Sequence, residues 1–296
     1  MAKVLISGAS GLIGSALVHA LESRGHNVTK LVRRAPLTSQ EMPWDPMREI
    51  APEIVSGTDA VVHLSGENVA GLWTAEKKRR IRKSRVVSTQ NLARAIAKLE
   101  KPPRSFVCAS AIGYYGDRGD EILTEASSPG EEFLPEVCRE WEAATEAASR
   151  AGIRVVNLRF GIVLSRDGGA LKQMLLPFRF GLGGRIGSGR QWWSWIHIDD
   201  AVGAILRVIE KSNVSGAVNV VAPNPVTNAE FTRLLAGAVR RPAFFAVPAF
   251  AARLALREFA DEGVLASARV VPKKLLEGGF EFRYRELGEA LEELLR

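Results

Sequence analysis

The segment Lys3-Val-Leu-Ile-Ser-Gly8-Ala-Ser-Gly11-Leu-Ile-Gly14 constrains this chain more than any other. A short apolar run stops at a glycine, glycines recur at every third position, and an amphipathic stretch carrying Leu17, Val18 and Leu21 follows. That order spells strand, tight turn and helix, with glycine wherever a pyrophosphate has to approach the backbone. Gly8 is expected to take the turn conformation, Gly11 to leave room for phosphates and Gly14 to let the helix pack close to the strand. Ser10, Leu12 and Ile13 complete the expected dinucleotide-binding loop.

Strand-like runs recur at 27–33, 59–65, 105–110, 154–159 and 217–221. Helix-compatible stretches lie among them at 15–24, 75–99, 134–151 and 199–211. Strands alternating with helices predict an α/β fold, a Rossmann-type doubly wound parallel sheet with its ligand at the carboxyl ends of the strands. From about Leu164 the pattern loosens into a Gly-rich region ending at Gly189, and Pro223-Asn-Pro225 marks another boundary. Beyond it lie a helix at 228–239 and apolar helical stretches at 244–256 and 287–295. The expected division is a Rossmann domain from 1–164 and 196–224, and a smaller discontinuous substrate lobe from 165–195 and 225–296.

At 296 residues, with 46% hydrophobic and 25% charged residues, the composition is that of a globular protein. No apolar run approaches a bilayer span, so no membrane partner is expected, and no cleavage-type segment precedes the first strand. Cys108 and Cys138 are the only cysteines, which implies no disulfide framework and a reducing cytoplasmic setting. No metal site is expected. Of the net charge of +7, much sits in the run from Lys77 to Arg85. That run reads as a solvated helix face or as a contributor to cofactor-phosphate binding. Nucleic acid is not the expected partner, because no aromatic platform or reader motif accompanies the run.

The end of the second strand sharpens the cofactor. An NAD site places Asp or Glu there, to accept hydrogen bonds from the adenosine ribose. This chain has Arg33-Arg34 instead. A guanidinium at that point pairs with a 2′-phosphate, which favours NADP(H).

Gly8-x-x-Gly11-x-x-Gly14, Leu64-Ser65-Gly66 and Trp195-Ile-His-Ile-Asp-Asp200 together resemble the extended short-chain dehydrogenase/reductases, over nearly the whole chain. More narrowly, His63-Leu-Ser-Gly-Glu-Asn68, Gly113-Tyr-Tyr-Gly116 and Leu176-Pro-Phe-x-x-Gly-Leu-Gly-Gly184 resemble an atypical "epimerase family" subgroup. Its members are sometimes labelled nucleoside-diphosphate-sugar epimerases or cell-division inhibitors. The resemblance implies NADP(H) contacts on the glycine loop, Arg33, Leu64 and Ser65. It adds Arg85 and Val163 as further cofactor residues, puts Glu67 near the nicotinamide side, and by analogy alone allows a homodimer.

The catalytic pattern departs from that family. Its extended members carry Tyr-x-x-x-Lys-x-x-x-Glu, the Tyr serving as acid/base with its pKa lowered by the Lys. The matching segment here is Cys138-Arg-Glu-Trp-Glu142-Ala-Ala-Thr-Glu146. Cys138 takes the Tyr place and Glu142 the Lys place. A carboxylate one helical turn from a thiol raises its pKa, so Cys138 reads as structural. Ser110 matches the family serine if Tyr114 is the aromatic four positions on; if Tyr115 is, Ala111 takes that place. Ser110 and Tyr114 are therefore the candidate catalytic residues, with Tyr114 and Tyr115 otherwise read as packing or substrate-facing groups.

Trp193 stands where nucleotide-sugar enzymes carry a diphosphate-binding Arg, although Arg185 and Arg190 are nearby. Trp192, Trp193 and Trp195 form a cluster suited to stacking on a flat ligand or to core packing. His197 and Asp199 read as scaffold, with Asp199 expected to cap the following helix.

Three readings result: an NADP(H)-dependent oxidoreductase acting on a small carbonyl or hydroxyl compound, an NADP(H)-binding sensor or interaction protein, and a nucleotide-sugar epimerase. Loss of the Tyr/Lys pair leaves enzymatic activity uncertain and weakens the epimerase most.

Overall fold

The computed structural model describes residues 1–211 and 213–296. Seven parallel strands form the central sheet: β1 Lys3–Ser7, β2 Asn27–Val32, β3 Glu41–Pro43, β4 Ala60–His63, β5 Ser105–Ala111, β6 Arg154–Phe160 and β7 Gly216–Val220. Their spatial order is β7-β6-β5-β4-β1-β2-β3, and each neighbouring pair is parallel. The chain winds outward from β1 to β3, then returns to lay β4 on the other side of β1. That reversal makes the carboxyl ends of β1 and β4 the switch point where such sheets bind ligands. Four consecutive residues of β1, all of β4 and six of β5 are buried, as a sheet covered on both faces requires.

The helices used below are α1 Leu12–Ser23, α2 Ala75–Ala97, α3 Phe133–Ala143, α4 Gly169–Arg179, α5 Ile198–Glu210, α6 Asn228–Ala238, α7 Ala249–Leu256 and α8 Leu287–Leu295. α1 packs beside α5, and α2 beside α3 and the short helix Glu146–Arg150. The largest core contains the sheet residues Leu5, Ile6, Val61, Phe106 and Leu158, joined by Leu17 and Leu21 of α1 and Ile205 of α5. A second core joins Leu171, Leu175 and Phe178 of α4 to Trp193, Trp195, Phe231 and Leu235, and to Leu287, Leu291 and Leu294 of α8.

Two sequence expectations are corrected, and one strand is added. The stretch 134–151 is two helices: α3 ends at Ala143, where the Thr145 hydroxyl donates to the Glu142 carbonyl at 2.6 Å. The stretch 244–256 opens with a strand, Phe245–Val247, and Pro248 then starts α7. Strand β3 had no signal because Glu-Met-Pro lacks alternating apolar character; its proline is tolerated at the sheet edge.

Candidate active site

The glycine loop lies at the switch point. Gly8 has φ +75°, and a Cβ there would sit 2.7 Å from the Leu64 carbonyl carbon. A Cβ on Gly14 would lie 2.1 Å from the Gly8 oxygen, so α1 can approach β1 this closely only with glycine at that position. Gly11 has room: its only close neighbour would be the Gly8 oxygen, 3.3 Å away. It is the N-cap of α1 and offers no side-chain cap. The first intrahelical bond is donated by Ser15 to Gly11, leaving the amides of Leu12, Ile13 and Gly14 for an external acceptor. No acidic residue sits in the first turn of α1, so nothing opposes an anion at its positive end.

Arg33 and Arg34 follow β2, whose Leu31 pairs with Ser7 of β1. Only one arginine is committed. Arg34 binds Glu41 through both terminal nitrogens, at 2.9 and 2.7 Å, and the same carboxylate accepts the Leu37 amide. Arg34 holds Glu41 below the usual carboxylate range. Arg33 is exposed and, among the described residues, in no ion pair.

Beneath this edge lies a polar cluster that sequence reasoning left unassigned. His63, fully buried at the end of β4, receives the Ser7 hydroxyl on Nδ1 at 2.5 Å. Ser88 of α2 donates to the Ser84 carbonyl, so its oxygen accepts from His63 Nε2 at 3.1 Å. Burial holds the His63 pKa down to about 3, which keeps the ring neutral in this relay. The relay joins β1, β4 and α2 directly behind Gly8 and Leu64. The Leu64 amide itself donates to Ser7.

The segment after β4 is held to α2. Glu67 receives Lys77 at 2.7 Å, which lowers its pKa, while its amide donates to Ser84. Arg85 reaches back under Gly66: a Cβ on Gly66 would sit 3.3 Å from the guanidinium carbon. That guanidinium lies over the Trp141 ring, with its centre 5.0 Å away. Burial lowers the Arg85 pKa, and among the described residues no carboxylate pairs with it. Val163 lies in the short strand Ile162–Leu164, paired with Ile196. Just beyond it, Gly168 and Gly169 lie against Leu12, which sets the start of α4 beside the glycine loop.

Ser110, at the end of β5, belongs to a closed network. Its hydroxyl donates to Glu142 Oε1 at 2.7 Å. Arg159 of β6, directly beside Ser110 in the sheet, grips both Glu142 oxygens at 2.8 Å each. Arg159 also donates to the Tyr115 hydroxyl at 3.0 Å, and Tyr115 donates to Asn219 at 2.7 Å. The guanidinium lies 3.4 Å from the centre of the Tyr114 ring. Burial opposes the Arg159 charge, but Glu142 outweighs it and holds the pKa above its usual range. Arg159 and Asn219 escaped sequence reasoning, which read Tyr115 only as a packing or substrate-facing group. The signal was an arginine inside an otherwise buried apolar strand, a position that demands a counter-ion.

Cys138 is buried near the Ala111 backbone. Burial pushes its thiol up to about 12; Glu142 adds to this and Arg85 opposes it. Trp195 and Trp193 are core residues, whereas Trp192 is half-buried, donates to Asp120 at 2.8 Å and carries Arg269 over its ring. His197, not Asp199, caps α5, through Nδ1 accepting the Asp199 amide at 3.1 Å. Asp199 sits in the first turn, where its charge favours the positive end of the helix.

The chain matches the NAD dependent epimerase/dehydratase family over residues 4–221 and a domain of unknown function, DUF1731, over residues 247–294. The epimerase family protein Mb2239 of Mycobacterium bovis is 45% identical over 292 residues, 98% of this chain and 96% of that protein. The crystal structure of human epimerase family protein SDR39U1 (isoform 2) with NADPH superposes with a TM-score of 0.91 at 36% identity, covering 99% of both chains. The nucleoside-diphosphate sugar epimerase of Corynebacterium glutamicum gives a TM-score of 0.84 at 40% identity, over 99% of this chain but 58% of the longer one. The chain therefore belongs to the NAD dependent epimerase/dehydratase family, the extended short-chain dehydrogenase/reductases its motifs resemble.

Proposed function

We propose that this protein binds NADP(H) and acts as an oxidoreductase on a small carbonyl or hydroxyl compound. The observation that carries the cofactor reading is the pairing at the end of β2, where Glu41 takes Arg34 and leaves Arg33 exposed for a 2′-phosphate. The likeness to an NADPH-bound relative supports it. The open amides of α1 and the space above Gly11 suit the pyrophosphate; Leu64, Ser65, Glu67, Arg85 and Val163 line the path beyond. Bound there, the cofactor supplies hydride chemistry.

Ser110 and Tyr114 are the groups this reading sets before the substrate. The Ser110 proton is committed to Glu142, so towards a ligand the serine presents lone pairs and accepts a hydrogen bond from a hydroxyl. Tyr114 has its ring fixed by Arg159 and keeps its hydroxyl as a donor. The protein is further read as cytoplasmic, as capable of pairing into a homodimer and as no nucleic-acid binder. One observation favours the second reading, a cofactor-binding sensor: Ser110, Glu142 and Arg159 satisfy one another and leave no acid–base pair of the usual kind. Screening NADPH oxidation against carbonyl compounds separates the two, since turnover lost in Ser110→Ala favours the enzyme.

Arg33→Asp is expected to weaken NADPH binding about 10- to 100-fold, the worth of charge-assisted hydrogen bonds, while sparing or improving NADH. Arg34→Ala should matter far less to the cofactor, because Arg34 is already spent on Glu41. Calorimetric titration of both variants checks this, and equal losses for the two cofactors in Arg33→Asp would overturn the assignment.

A further inference from the structure

The positive charge of this protein is unevenly compensated. In the basic run of α2, Lys77, Lys78, Arg79 and Arg82 pair with Glu67, Glu258, Glu76 and Glu136. The C-terminal lobe is different. Residues 168–190 and 234–257 hold eight lysines and arginines and no Asp or Glu. Among the described residues, only Arg253 of those eight meets a carboxylate, that of Asp261 at 2.9 Å.

The same segments expose large apolar side chains. Phe244 is 90% exposed, Leu254 83%, Phe180 72% and Phe250 71%. The elements that carry them lie side by side. Arg241 Nε donates to the Arg179 carbonyl at the end of α4, 3.2 Å away, and a Cβ on Gly181 would lie 3.9 Å from the Pro242 ring. Strand Phe245–Val247 runs parallel to Gly184–Ile186, and α7 follows immediately. An exposed apolar surface of this kind marks a contact site.

We propose that this face docks on an anionic phospholipid surface, with the phenylalanines and leucines entering the interface and the arginines meeting the headgroups. Charge selects this occupant. A second copy apposed through the same face would set arginines against arginines, with no carboxylate in either segment to relieve them. The apolar side chains are mostly exposed, which suits a fluid interface that needs no complementary shape. The sequence expectation of no membrane partner rested on the lack of a spanning run, and among the described residues no helix is long and apolar enough to cross a membrane. Docking from one side needs no such helix.

The test is flotation of the whole protein with vesicles of phosphatidylcholine alone and of phosphatidylcholine mixed with phosphatidylglycerol, at low and high salt. The protein should float only with the anionic vesicles and be released by salt. Arg240→Ala/Arg241→Ala should weaken binding roughly thirty-fold, at about a fivefold step per arginine near an anionic surface. Phe244→Ser/Leu254→Ser should abolish flotation while thermal midpoint and NADPH affinity stay those of the parent. No flotation at low salt, equal flotation with neutral vesicles, or binding that both variants retain would overturn the proposal. So would self-association in the absence of lipid that Phe244→Ser/Leu254→Ser removes, since that assigns the face to a protein partner.

Discussion

Glu142→Gln should destabilise the protein by about 3–5 kcal/mol, lowering the thermal midpoint by about 5–8 °C for a chain of this size. The carboxylate is the counter-ion of Arg159, whose side chain is only 4% exposed, and it accepts the Ser110 proton as well. Glutamine keeps the shape and loses the charge, so a buried guanidinium is left uncompensated. Glu142→Lys should be worse because it puts a second cation against the first. The double variant Glu142→Leu/Arg159→Met removes both charges and should recover much of the loss, as the replacement of a buried pair by apolar side chains commonly does. Thermal and urea denaturation of the four proteins checks this. A Glu142→Gln protein within about 0.5 kcal/mol of the parent would show that the pair is not held as described.

The second large effect is a pH dependence set by His63. Its folded pKa is about 3 against an ordinary value of 6.5, so between those values the unfolded chain binds a proton that the folded chain refuses. Stability from this residue is therefore intact above about pH 6.5, falls as the pH drops through that value, and keeps falling to about pH 3. At pH 5 the loss is about 2 kcal/mol relative to pH 8. His63→Asn retains a neutral donor and acceptor towards Ser7 and Ser88 but cannot titrate in this range. Whatever its cost at pH 8, the difference between parent and variant should shrink by about 2 kcal/mol on going to pH 5. Parallel stability curves would show that His63 is not buried neutral beneath the glycine loop.

The parts of this protein that sequence makes legible are those where one residue type alone is tolerated. Gly8 and Gly14 are glycine because a Cβ would strike the Leu64 backbone or the Gly8 oxygen, and the pattern of β1, turn and α1 follows from them. Long apolar runs mark the buried strands β1, β4 and β5 for the same reason, since both faces are covered. What sequence conceals is partnership across the fold. Glu142 reads as the loss of a lysine, and only the adjacency of β5 and β6 reveals that Arg159 requires it. Residue type alone does not separate Arg33 from Arg34; β3, a strand with no apolar signature, delivers Glu41 to one of them. The net positive charge points to α2 by sequence, yet the carboxylates that pair with Lys78 and Arg82 come from Glu258 and Glu136, distant in the chain. The uncompensated charge lies in residues 168–190 and 234–257 instead.

The measurement that tests the account most directly is calorimetric titration of the purified protein with NADPH and, in parallel, with NADH. The account predicts binding of NADPH at least about tenfold tighter than NADH, the smallest preference expected of a charge-assisted contact to the 2′-phosphate. Failure of both to bind would contradict the reading of the glycine loop, and equal binding of the two would contradict the role given to Arg33.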